Sequence, residues 1–174
     1  MIILENLNDE VVLKIIKTWD QLNNKETAMR FYHHLFTIYP ETLDTFKKFK
    51  EMKLIHLNKD KHALIMAKVL WSSMAHIIEC LKIGDQVSMY KCINYLIEKH
   101  VKVKYFHPSM FQLAIKPFLA TVEEKNLTYD EVDAYMELDT WFFNLEKKKL
   151  FGFVTIKVDI SQTNIYLIWS NGKN

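Results

Sequence analysis

The sequence holds seven histidines, and they carry most of the chemistry it could perform. A neutral imidazole nitrogen is a good donor to iron and similar transition metals. His33 and His34 are adjacent, so on a helix they diverge by about 100° and cannot share one site. His56 and His107 fall in connectors, and His76 lies beside the apolar stripe of its helix. His62 and His100 remain. Each lies on or next to the apolar face of its own helix, and a short connector joins the two helices. Such a pair makes the walls of an apolar slot, with one imidazole on each side. Phe, Met, Leu and Ile complete the slot, which suits a flat apolar macrocycle. A Gly-rich phosphate loop, a paired-cysteine metal motif and a His-Glu-x-x-His helix are all missing from the sequence.

The elements that must position these residues read as helices. Asn8, followed by Asp9 and Glu10, caps a first helix whose apolar residues Val11, Val12, Ile15, Ile16, Trp19 and Leu22 recur at helical spacing. A second helix is expected over 25–38, stopped by Pro40. A short helical turn follows over 41–49, then a connector over 50–58. The longest helix is expected over 60–81, with His62, Met66, Leu70, Met74 and Leu81 on its stripe. Gly84 breaks it, and a helix over 87–100 ends on His100. Two more are expected over 109–124 and 128–149, the second opened by the capping box Thr128…Glu131. Pro117 should kink the first of these. Beyond Gly152 the β-branched runs 154–160 and 165–168 read as extended chain. The expectation is therefore an all-α domain over 1–152 and a C-terminal tail over 153–174, either a strand pair, a partner-binding arm or disordered.

Composition agrees. Apolar residues make up 49% of the chain, enough for one core, and three glycines and three prolines are too few for a fold rich in tight turns. The net charge is +2 and the lysines are scattered, so nucleic acid is not an expected partner. No uninterrupted apolar run approaches the ~20 residues of a membrane span. The N-terminus reaches Glu5 before any secretory hydrophobic region can form, which points to a cytoplasmic protein. Cys80 and Cys92 flank the Gly84 connector and read as free thiols. Bridging them would need Cα atoms within about 7 Å.

The run from Phe31 to Phe49 (Phe-Tyr-His-His-Leu-Phe-Thr-Ile-Tyr-Pro-Glu-Thr-Leu-Asp-Thr-Phe-Lys-Lys-Phe) resembles the second helix and following corner of the globin family. Pro40 opens the corner and Phe46 stands six residues later, with Phe49 as a second aromatic. Trp19 matches the first-helix tryptophan. Lys61-His62-Ala63 with Met66 is similar to the distal segment. Leu96…His100, then Pro108-Ser-Met-Phe111, is similar to the proximal segment. Ala134, Tyr135 and Leu138 fit the last helix. The resemblance covers about residues 8–150.

It implies a globin fold of six to eight helices around haem b. His100 would ligate iron from the proximal side. Phe46 would pack on the macrocycle, Met66, Leu96 and Phe111 would line the pocket, and Lys48 and Lys104 would meet the propionates. His62 would stand over the distal iron position or bind it; Lys61 is its rival, because the connector to the His100 helix is longer than in oxygen-storage globins. Tyr32 would face a bound diatomic gas. The implied partners are dioxygen, carbon monoxide and nitric oxide, bound tightly for sensing, scavenging or storage. Nitric oxide dioxygenation or peroxidase-like chemistry at the same iron would need a separate reductase. A non-haem helical interaction domain is the third reading, and His100, Phe46 and Leu96 count against it.

Overall fold

In the computed structural model, every well-capped helix begins at a side chain able to take up its free amides. Asn8 accepts from the Glu10 amide, Asn24 from Thr27, Asp60 from His62 and Ala63, and Asp85 from Ser88. Thr128 and Glu131 form the expected reciprocal box, with the Thr128 amide donating to Glu131 Oε2 at 2.9 Å. The structure describes residues 7–46, 48–49, 52–104, 106, 110–150, 155–159 and 164–168. For 142–150 and the last two stretches it describes the backbone.

Among the described residues six α-helices follow in order. They are α1 (Asp9–Leu22), α2 (Lys25–Ile38), α3 (Lys61–Ile83), α4 (Gln86–His100), α5 (Met110–Glu123) and α6 (Tyr129–Leu150). The expected helical turn after Pro40 is a 3-10 turn, Pro40–Asp44, and part of the expected connector is a second one, Leu54–Lys59. Both are short because each has only a few residues between helix-stopping or extended positions. The two extended segments pair as antiparallel strands, β1 (Thr155–Asp159) with β2 (Asn164–Ile168), in the register Thr155↔Ile168 to Asp159↔Asn164. His107, Pro108 and the expected helix start at Ser109 lie outside the described residues, as do 151–154, 160–163 and 169–174 of the tail region.

The connector expected between the His62 and His100 helices, 82–86, is shorter in the structure, because α3 continues to Ile83 and α4 begins at Gln86. Only Gly84 and Asp85 separate α3 from α4. Gly84 adopts φ 71°, the left-handed conformation that closes a helix at little cost for glycine. Pro117 falls inside α5, which runs from Met110 to Glu123 with the proline buried. The Thr121 hydroxyl donates to the Pro117 carbonyl at 2.8 Å.

The core forms where these helices bury their stripes. α2 packs on α5, α1 on α6, and α3 on both α2 and α4. Ile15, Leu22, Phe36, Phe49, Leu57, Val122, Tyr135 and Leu138 are fully buried between them. Trp19 and Trp71 stack with ring centres 6.1 Å apart, and Trp71 Nε1 donates to the Leu22 carbonyl at 2.7 Å. That bond satisfies a buried indole while tying α3 to the end of α1. A smaller cluster of Ile77, Met89, Tyr90, Ile93 and Ile97 fills the α3–α4 contact. Cys80 and Cys92 lie at this contact as free thiols, both pushed up in pKa by burial. α3 is long and apolar enough by composition to cross a membrane, but Ala63, Ala67, Trp71, Ile77 and Ile78 are buried against its neighbours.

A single carboxylate joins α2 to the end of α5. Glu124 accepts from Arg30 Nε at 2.7 Å, from a second Arg30 nitrogen, and from His34 Nε2 at 2.8 Å. The Arg30 hydrogen bonds, reinforced by His34, hold its carboxyl at about 2, against an ordinary 4.5. A depressed carboxylate stabilises the fold above its ordinary value, and that contribution disappears as pH falls through about 2. Glu124→Gln should therefore lower the urea midpoint at neutral pH. Its midpoint should also fall less steeply than the parent's as the medium is acidified below pH 4.5.

Candidate cofactor cavity

α2, α3, α4, α5 and α6 do not close completely on one another. They leave a cavity of about 430 Å³. α2 contributes Phe31, Tyr32 and Leu35, and the turn after it Thr42, Thr45 and Phe46. α3 contributes Met66, Leu70, Ser73, Met74 and Ile77, one helical row at spacings of three and four. α4 supplies Leu96 and His100, the following segment Val103 and Phe106, and α5 Met110, Phe111, Ala114, Ile115 and Phe118. Leu138 and Asp139 close it from α6. The walls are thus almost wholly apolar, with a handful of polar groups, which is the composition of a small-molecule site.

His100 is the one imidazole among the described lining residues. It stands at the last residue of α4, half-buried, with Nδ1 2.7 Å from the Leu96 carbonyl oxygen. A carbonyl can only accept, so Nδ1 carries the proton and donates. That fixes the ring and leaves Nε2 as a basic lone pair, the arrangement that orients a metal-binding histidine. Phe111 and Phe106 hold the ring from the side, with centres 4.9 and 5.4 Å away. Among the described residues no three His, Cys, Asp or Glu side chains gather to hold a metal. A metal on His100 must therefore bring its other donors with it, as the centre of a macrocycle does.

Tyr32 is 7% exposed and faces the cavity from α2. Its ring is fixed edge-on by Phe31 at 5.3 Å and Phe46 at 6.1 Å. Burial raises its pKa well above the usual phenol range, so the hydroxyl stays protonated and able to donate. Phe46 joins Phe36 and Phe49 in one aromatic cluster, at 5.3 and 5.9 Å, and this packing presents Phe46 to the cavity.

Phe46, Met66, Leu96, His100, Phe111 and Tyr32, which the sequence singles out, thus converge on one cavity. Four others stand outside its lining. His62 is exposed in the first turn of α3, with its ring nitrogens 3.3 and 3.4 Å from Lys48 Nζ. Its place one turn before Met66 carries it past the end of the cavity-facing row. Lys48, Lys61 and Lys104 are exposed as well. Among the lining residues that the sequence does not single out are Phe106 and Asp139. Phe106 lies in a connector, where periodicity says nothing. Asp139 follows Leu138 and stands one turn beyond Tyr135, so an acid beside a buried helical stripe was the available signal.

The family model described as Globin matches residues 29–138. No curated protein sequence matches the chain. Among solved structures, a hexacoordinated heme protein from an anhydrobiotic tardigrade superposes with a TM-score of 0.74 at 18% identity, over 82% of this chain and 94% of that one. Hemoglobin from the botfly Gasterophilus intestinalis gives 0.69 at 19% identity, over 83% and 96%. A Drosophila melanogaster globin gives 0.72 at 16% identity, over 81% and 94%. With a family match from the second helix into the last, and the same fold in these structures, the chain belongs to the globin family.

Proposed function

We propose that the cavity holds haem b on His100 and binds dioxygen, carbon monoxide or nitric oxide beside the Tyr32 hydroxyl. The observation that carries this reading is the state of His100. Its Nδ1 is occupied by the Leu96 carbonyl at 2.7 Å, and its other nitrogen is left for a metal within an apolar cavity. When bound, the haem supplies an iron centre able to take a diatomic ligand. Everything else is done by the chain. Met66, Leu70 and Met74 line the α3 wall and exclude water, while Phe46, Leu96 and Phe111 offer apolar surface to the macrocycle. Lys48, His62 and Lys104 are exposed, where solvent-screened pairs with its carboxylate edge would add little.

Tyr32 determines the ligand preference in this reading. A buried hydroxyl donating to a ligand that carries partial negative charge contributes about 1–3 kcal/mol. That is about five- to hundredfold in affinity. Tight binding with slow release suits sensing, scavenging or storage better than transport. His62 lies outside the lining, so in this reading His100 is the residue that would hold the haem and His62 would not.

Three measurements check this. His100→Ala should lose the sharp haem absorption of the recombinant protein, and an unchanged spectrum would sink the assignment. Tyr32→Phe should speed oxygen release in stopped flow by about five- to hundredfold; an unaltered rate would remove Tyr32 from the ligand site. The ferrous, ligand-free protein should show one broad visible band, the same in His62→Leu. Sharp paired bands that vanish in His62→Leu would instead assign His62 to the iron.

A further inference from the structure

Asp139 is the one carboxylic acid among the described residues that line the cavity. It sits in α6, half-buried, with part of its surface on the cavity, and its Oδ2 is sealed from solvent with no hydrogen-bond partner. Native structures rarely bury a carboxyl oxygen in this state, because an unpartnered polar atom costs stability and an unpaired charge costs far more. An ion pair would be the ordinary solution. No Lys or Arg is among the described lining residues, however; the titratable groups that share the cavity are Tyr32 from α2 and His100 from α4. From α3 and α5 the lining side chains are Ser73 and apolar residues. Burial alone pushes the acid well above the usual carboxylate range, toward its neutral form.

A neutral acid on the wall of an apolar cavity responds to any change of charge there. A positive charge bound within the cavity stabilises the carboxylate, since Coulomb attraction is strong where water is excluded. Loss of that charge returns the advantage to the neutral acid. Resting on the haem reading above, we propose that Asp139 is the proton-exchanging group of this cavity. Its carboxylate takes up one proton from solvent when the bound group gains one electron, and releases it when that electron leaves. The balance is one electron from an external one-electron reductant, one proton from water, and one new O–H bond on Asp139. The bound group is reduced by one charge, and the cavity as a whole keeps its charge. By linkage, the reduction potential then depends on pH.

The test is a mediated redox titration of the haem-loaded full chain across pH, for the parent, Asp139→Asn and Asp139→Glu. Over the window in which Asp139 exchanges its proton, a tenfold fall in proton concentration should lower the reduction equilibrium constant by up to tenfold, about 59 mV. Asp139→Asn should flatten that dependence and Asp139→Glu should restore it. Redox-difference infrared spectra should show a protonated carboxyl gained on reduction in the parent and absent from Asp139→Asn. A parent slope that survives unchanged in Asp139→Asn, or an infrared band that persists there, overturns the proposal. Failure of the chain to take up haem is a separate result and overturns the reading beneath it. The apoprotein then still reports on Asp139. Its raised pKa means that stability is greatest below the ordinary carboxylate value of 3.8 and is lost as pH rises. Asp139→Asn should thus gain urea resistance over the parent as pH increases, and equal curves at every pH would show that the buried acid carries no proton of its own.

Discussion

The hydrogen bond from His100 Nδ1 to the Leu96 carbonyl, 2.7 Å long, links the helical backbone to the chemistry of the cavity. It spans one helical turn, so α4 must remain regular to its last residue for the ring to be held. α4 in turn is placed by the Gly84–Asp85 corner and by its buried face of Met89, Tyr90, Ile93 and Ile97. Without that bond the imidazole would be a half-buried side chain with two equivalent orientations. With it, one nitrogen is assigned as donor and the other keeps its lone pair.

An apolar cavity is a standing cost, because its lining atoms lack contacts on one side. The fold supports it with rigid packing around the rim. Phe36, Phe46 and Phe49 interlock on one side, and Trp19, Trp71 and Phe118 on another. These aromatics pack against one another, and Phe46, Trp71 and Phe118 also form part of the cavity wall. A bound apolar macrocycle would restore the missing contacts, which is why occupancy and stability should be linked.

Polar groups in such a space act out of proportion to their number. Tyr32 is a neutral donor held in place by Phe31 and Phe46. Asp139 is an acid whose sealed oxygen has no partner. Both burials favour the uncharged form, and for opposite uses: the tyrosine keeps a proton to offer, and the acid is poised to exchange one. The exposed Lys48–His62 pair sits outside this low-dielectric region and so has much less leverage.

Much of this was legible in the residues alone. Helical periodicity located six helices to within a residue or two, because amphipathic spacing and capping side chains are local properties. The family resemblance carried by Pro40 with Phe46, and by Leu96 with His100, singled these residues out, and Phe46, Leu96 and His100 do line the cavity. Tertiary structure alone decided which residues of α3 look inward. The sequence stripe ran from His62 through Met66 to Met74, and a row of positions four apart drifts around the helix, so the start of the row leaves the face that its middle occupies. Only packing could tell where that face ends. It also decided the fate of Asp139, for a helix position next to a buried stripe is read as surface until a neighbouring helix fails to cover it. Periodicity reports the angle of a side chain about its own axis, whereas the cavity is defined by what the other helices leave empty.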